Sequence, residues 1–145
     1  MSLAAGSRLA ILVLTGAVLT LYLTHRLIAT GPLLVALQVL AGLLMLWARL
    51  TFGRRSFHGV ANPTEGGLVT TGPYACIRHP IYAAILLFVW AGVAAHASTI
   101  SAGLALVTTA ATGIRIAAEE QLVMQRYPEY RAYAARTRRL IPGIF

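Results

Sequence analysis

Four long apolar runs, each bounded by arginine, histidine or proline, organise this chain. They span about Leu9–Leu23, Leu33–Leu50, Ile81–Ala95 and Ile100–Ala118. A bilayer-spanning helix needs roughly 20 predominantly apolar residues, with about 17 as the lower limit, so the second and fourth runs read as spans, and the first, between Arg8 and His25-Arg26, reads as a retained helix. The third is fifteen residues without a charge; it reaches spanning length if residues from Tyr74 onward supply its first turns. Beyond the fourth run, Ile116, Glu120, Val123 and Tyr127 keep helical spacing, which predicts that the helix continues. From Thr99 to Arg126 it would be about 40 Å long, against roughly 30 Å of hydrocarbon. Pro128 ends it and can open a short second helix at its first position, with Glu129 in the first turn and Tyr130, Tyr133 and Ala134 as an apolar stripe. Thr137–Phe145 reads as an extended tail fixed by Pro142. The expected fold is all-α and polytopic: about four transmembrane helices plus a C-terminal cytosolic helix, in one domain over residues 1–145, with two helices inside 1–50.

Composition agrees. The chain has 145 residues, of which 58% are hydrophobic and only 11% charged, and its mean hydropathy is +0.73. That is too apolar for a soluble domain and implies a multi-pass integral membrane protein. The first run has the look of a signal peptide, but no small-residue cleavage site follows it, so a retained helix is expected. All twelve basic residues are arginines, the acids are Glu65, Glu119, Glu120 and Glu129, and the net charge is +8. In a soluble protein such a charge would suggest nucleic acid. Here the arginines flank apolar runs, where orientation and membrane lipid headgroups account for them, and no nucleic-acid partner is expected. Arg49, Arg54, Arg55 and Arg78 lie in the 49–79 connection, and Arg126, Arg131, Arg136, Arg138 and Arg139 in the tail, while the tip at His96–Ser98 has none. The positive-inside rule therefore sets the connection and both ends in the cytoplasm. Arg26 is the dissenting charge on the outer side. Cys76 is the single cysteine, and His25, His58, His79 and His96 have no paired ligand spacing, so no metal is expected.

Chemistry concentrates in Thr71-Gly72-Pro73-Tyr74-Ala75-Cys76-Ile77-Arg78-His79-Pro80-Ile81-Tyr82, at the mouth of the third run. Ionisable groups beside lipid cost free energy and are usually retained for function; the plainer reading of Arg78 or Tyr74 alone is an interfacial anchor. Glu119 and Glu120 fall on the same membrane face. Adjacent helical positions point about 100° apart, so Glu120 should share the inward stripe and Glu119 face a neighbouring helix. A solvated face at the membrane exit is the plainer reading of the pair. An inward Glu120 needs a cationic partner, for which Arg78, His79 and Arg115 are candidates.

Thr-Gly-Pro-Tyr-x3-Arg-His-Pro-x-Tyr, then Glu-Glu-x-Leu, then Tyr-Pro-Glu-Tyr-x2-Tyr, then a basic stretch and a proline, resembles the isoprenylcysteine carboxyl methyltransferase family and the related membrane phospholipid methyltransferases. The resemblance covers about residues 66–145. It implies a catalytic core there that uses S-adenosylmethionine, with a cofactor pocket open to the cytoplasm and a lipophilic or lipid-linked acceptor entering from the bilayer. Carried across, Gly72, Pro73, Tyr74, Arg78, His79, Pro80, Tyr82, Glu119 and Glu120 would bind the cofactor. Arg136 would lie near the reacting group, with Arg138 and Arg139 close by. Glu120, Arg136 and Arg139 are thus the catalytic candidates, acting in O-methylation of a carboxylate such as isoprenylcysteine or N-methylation of a lipid amine. Two other readings remain: an NADPH-dependent membrane reductase of related architecture, and a non-catalytic membrane subunit.

Overall fold

Each apolar run is a helix in the computed structural model of the protein, which describes residues 3–53 and 67–145. The helices are α1 (Leu3–Leu23), α2 (Pro32–Phe52), α3 (Pro80–Ala95), α4 (Thr99–Arg126) and α5 (Tyr130–Arg136), with a 3-10 turn at Gly72–Ala75 before α3. Three of them, α1, α2 and α4, are long and apolar enough to cross a membrane, and α3 is a shorter apolar helix. At 16 residues, α3 is about 24 Å long. The residues from Tyr74 do not extend it. Pro80 is its first residue, and a proline disfavours helical geometry in the residue before it. Arg54 and Arg55, which contribute to the expected orientation, and Glu65 lie outside the described residues.

The helices pack in the spatial order α1, α4, α3, α2, with α5 against α4 and the 3-10 turn against α2. On α2 the side chains of Leu33, Leu40, Leu43, Leu46 and Leu50 are exposed, and on α1 those of Leu9, Leu12 and Leu19. Between α1 and α4 the buried residues are small: Ser7, Ala10 and Ala17 on one side, Ser101, Ala105, Thr108 and Thr112 on the other. Small side chains let two helices approach closely where no hydrophobic force separates helix from lipid. Leu21, Leu27, Val89, Val93 and Ala105 close the core beneath the loops.

One end of the bundle is fastened by polar groups within an apolar setting. The Gln38 amide donates to Leu27 O (2.7 Å) and Phe88 O (3.0 Å) and accepts from Ala29 N–H (2.9 Å). The α1–α2 loop crosses α3 so closely that a Cβ on Gly92 would lie 2.0 Å from Leu27 O. The α3–α4 turn falls at His96–Ser98 as expected, and Ser98 and Ser101 cap α4 reciprocally.

The tail departs from the extended form expected of it. Ile77 and Arg138 form a parallel bridge: Arg78 N–H donates to Arg138 O (2.7 Å), His79 N–H to Arg139 O (3.0 Å) and Arg138 N–H to Cys76 O (3.1 Å). Past Leu140 the chain curls back at Pro142 and Gly143, and Leu140 and Ile141 N–H both reach Phe145 O. Gly143 has φ +77°, a left-handed geometry that glycine adopts without steric cost.

Candidate functional site

Glu119 and Glu120, adjacent on α4, do face different neighbours. Glu120 is buried and is the hub. Its Oε1 accepts from Arg78 Nε at 2.9 Å and Tyr130 OH at 3.3 Å, and lies 3.3 Å from His79 Nε2. Its Oε2 accepts from Arg139 Nε (3.1 Å) and Nη2 (3.0 Å). Four segments distant in sequence thus meet at one carboxylate: the turn before α3, α4, α5 and the tail. Arg78 also binds the tail, donating from Nη1 to Ala134 O (2.9 Å) and Thr137 O (2.6 Å), carbonyls at and just past the end of α5 that the helix leaves without partners.

Glu119 belongs to a second network. Arg115 Nη2 donates to Glu119 Oε1 (2.9 Å), Arg115 Nε to Tyr82 OH (2.7 Å), and Tyr82 OH in turn to Glu119 Oε1 (2.5 Å). Arg115 therefore pairs with Glu119, not with Glu120 as sequence spacing allowed. Its Nη1 lies 3.3 Å from both Ser7 O and Ser7 Oγ, which ties α1 to the site. Glu119 Oε2 has no hydrogen bond among the described residues; it lies 3.9 Å from His79 Nδ1, and the Glu119 side chain is 24% exposed. His79 bridges the two carboxylates, with its ring 5.9 Å from that of Tyr82.

The other expected site residues serve neighbouring contacts. Gly72 (φ +57°) sits against α2, where a Cβ would lie 2.7 Å from Thr51 Oγ1. Pro73 is buried and its carbonyl accepts from Cys76 and Ile77 N–H. Tyr74 lies against Phe52, ring centroids 5.4 Å apart, and its carbonyl accepts from Tyr133 OH at 2.7 Å. Pro80 opens α3. Arg139 joins the cluster, with its guanidinium 5.6 Å from the Phe145 ring. Arg136, the last residue of α5, is exposed and makes no hydrogen bond or ion pair among the described residues. Burial pushes the Tyr133 phenol up to about 12 and raises the Tyr74 and Tyr130 phenols as well. Hydrogen bonding to Glu120 raises Arg139 above the already high range of guanidinium groups. Sequence reasoning missed Ser7 and the role of Arg115; the i, i+4 spacing of Arg115 and Glu119 was the available signal.

The donor set suits S-adenosylmethionine. The cofactor carries an ammonium, a sulfonium, ribose hydroxyls and a carboxylate. Glu119 Oε2, partly exposed and with acceptor capacity left, fits an ammonium or a ribose hydroxyl; His79 and Arg78 fit a carboxylate. The tilted His79–Tyr82 ring pair offers an aromatic surface to a methylsulfonium.

Residues 33–125 match the isoprenylcysteine carboxyl methyltransferase family. The chain is 36% identical over 78 residues to the nickel-cobalt-cadmium resistance protein NccN of Alcaligenes xylosoxydans xylosoxydans, covering 53% of this chain and 37% of that protein. It is 33% identical over 119 residues to the cobalt-zinc-cadmium resistance protein CzcN of Cupriavidus metallidurans, covering 79% of this chain and 51% of that one. The chain thus spans about half or less of the length of these curated relatives. No solved structure matches it.

Proposed function

The chain belongs to the isoprenylcysteine carboxyl methyltransferase family, and from that premise we propose that it is a membrane methyltransferase that uses S-adenosylmethionine on a lipophilic or lipid-linked acceptor. The observation that carries the reading is the Glu119–Glu120 pair. One carboxylate is saturated by Arg78, His79 and Arg139, while the other, partly exposed beside His79 and Tyr82, keeps one oxygen without a hydrogen bond among the described residues.

When bound, S-adenosylmethionine supplies a methyl group made electrophilic by the sulfonium charge. Glu119 would hold the cofactor's ammonium or ribose, and His79 with Arg78 its carboxylate. Glu120 keeps these two basic groups in place and closes the tail over them. Methyl transfer needs in-line approach, so fixing both partners is the main catalytic lever. A carboxylate acceptor needs only orientation by a cation, the role proposed for Arg136 at the end of α5 and Arg139 in the tail. An amine or hydroxyl acceptor needs a base, a role that Glu120, the expected candidate, suits poorly because Arg78, His79 and Arg139 saturate its carboxylate. With the arginine-rich connection and tail in the cytoplasm, the site would open to that compartment.

The test uses purified protein and tritiated S-adenosylmethionine or NADPH. His79→Ala and Glu119→Gln should each weaken S-adenosylmethionine binding at least about tenfold, the loss of a charge-assisted hydrogen bond. Saturable NADPH binding without S-adenosylmethionine binding would replace this reading with a reductase, and binding of neither with a non-catalytic subunit. Labelled methyl transfer to a lipid extract, followed by mass spectrometry of the product, identifies the acceptor. Arg136→Ala should then lower turnover and spare cofactor affinity.

A further inference from the structure

The opposite end of the bundle holds a second polar cluster that methyl transfer does not use. Thr24, His25, Arg26, Ala95, His96 and Ala97 line a shallow, open cavity of about 410 Å³ between the α1–α2 loop and the α3–α4 turn. Along α4, Ser98 and Glu120 are 22 residues apart in sequence, a rise of about 33 Å. That is close to the roughly 30 Å of bilayer hydrocarbon, so the cavity lies at the far headgroup layer from the Glu120 site.

Three basic side chains face this cavity, and no carboxylate among the described residues pairs with any of them: Glu119 and Glu120 lie at the other end of α4, and Glu129 lies past it. Arg26 is held, with Nη1 donating to Ser98 Oγ at 2.6 Å, which leaves the rest of its guanidinium fork for another acceptor. His96 is held by the contact of its Nε2 with Ile28 O at 2.8 Å. His25 is exposed and stands at φ +57°. The loop beneath is rigid, pinned by Gln38 and by the close crossing of Leu27 over Gly92. A fixed, uncompensated guanidinium at headgroup depth beside two imidazoles is an acceptor site for a phosphate oxyanion, the group that arginine binds most specifically. Arg26 is also the charge that runs against the positive-inside pattern. An anionic partner in that leaflet gives it a reason to be there.

The geometry points to a binding site for the phosphodiester headgroup of an anionic phospholipid, built by His25, Arg26 and His96. A free phosphate ion shares the chemistry, and the experiment separates the two sources. Delipidated protein in a neutral detergent is titrated with phosphatidylglycerol or phosphatidylcholine, and bound lipid is counted by native mass spectrometry. Phosphatidylglycerol should bind saturably with one lipid more than phosphatidylcholine does. Arg26→Gln and His25→Ala should each weaken that binding about tenfold, as expected for a lost charge-assisted contact, while Arg131→Gln on α5 leaves it unchanged. His25→Ala covers the case in which Arg26→Gln fails to fold, because the His25 side chain makes no hydrogen bond among the described residues. Displacement of the lipid by millimolar inorganic phosphate would identify the free ion as the ligand; no displacement identifies the lipid. Undiminished phosphatidylglycerol binding in a folded His25→Ala or Arg26→Gln variant, or an equal loss in Arg131→Gln, would overturn the assignment.

Discussion

Glu120→Gln removes one charge and keeps the side chain's shape, so its effect isolates what the carboxylate holds. The Arg78 and Glu120 side chains are 10% and 7% exposed. Removing one partner of a buried ion pair costs about 3–5 kcal/mol. Arg78 would keep its bonds to Ala134 O and Thr137 O, and glutamine keeps one carbonyl oxygen, so a loss of about 3 kcal/mol is expected, at the low end of that range. Most of it should appear as undocking of the tail, because Arg78 links Glu120 to the Ala134 and Thr137 carbonyls and Arg139 belongs to the tail itself. The Arg139 side chain is 44% exposed, and exposed pairs contribute about 1 kcal/mol or less. Hydrogen exchange at the amides of Arg78, His79 and Arg138, which form the bridge to the tail, reads the undocking directly. Glu120→Gln should speed their exchange by more than about a hundredfold, and Arg139→Gln by less than about tenfold, at 1.4 kcal/mol per decade. Exchange in Glu120→Gln within a factor of about three of wild type would show that the carboxylate does not hold the tail. Equal acceleration in the two variants would make Arg139, not Arg78, its principal partner.

Three further outcomes are expected. Gly92→Ala should lower thermal stability in detergent by at least about 2 kcal/mol, because its Cβ would meet backbone at Leu27; Gly103→Ala, where a Cβ meets open space, should be neutral or stabilising. The tail should undock in alkali: burial raises the folded Tyr133 pKa to about 12 from an ordinary 10.0, so the stability it contributes is complete below pH 10.0 and fades toward about pH 12. Tyr133→Phe should reduce, without abolishing, the loss of amide protection across that window, since burial raises the Tyr74 and Tyr130 phenols in the same direction; an unchanged loss would exclude the Tyr133 phenol as a cause. Arg115→Lys cannot reach Tyr82, Glu119 and Ser7 together as the guanidinium does; it should weaken S-adenosylmethionine binding about tenfold, and Ser7→Ala should do so less, with wild-type affinity in both showing that Glu119 needs no brace.

The hydrophobic pattern located the three long helices and the shorter α3 to within a few residues, except that α1 begins at Leu3, ahead of the apolar run, because Ser7 and Arg8 are tolerated near a helix end. The inward turn of Glu120 and the convergence of Arg78 and His79 on it were also legible, since both rest on helical period and on the cost of an unpaired charge. What pattern could not supply was pairing between distant segments. The choice of Arg139 for Glu120, the Ser7–Arg115 contact and the parallel bridge at Ile77 depend on how the tail and α1 return to α4, which no local period encodes. Gln38 read as one polar residue in an apolar run; its three backbone partners lie on two other segments. The third run's missing turns went to the 3-10 turn and the bridge because Pro80 fixes where α3 can start.

The two carboxylates of α4 also differ in when, during synthesis, each can be neutralised. Arg115 and Glu119 are four residues apart on the same helix, so they can pair as soon as that turn winds, before any other segment is in place. This near-neutral unit lowers the cost of passing the helix from the translocon into lipid. Glu120 has no such neighbour on its own helix. Its first partners, Arg78 and His79, have already emerged when α4 is made, and Arg139 follows only after α5. The cluster is therefore completed only once the segment after α5 has been made, and a nascent chain halted after α4 would hold Glu119 and Glu120 without the Arg139 cation that closes over them.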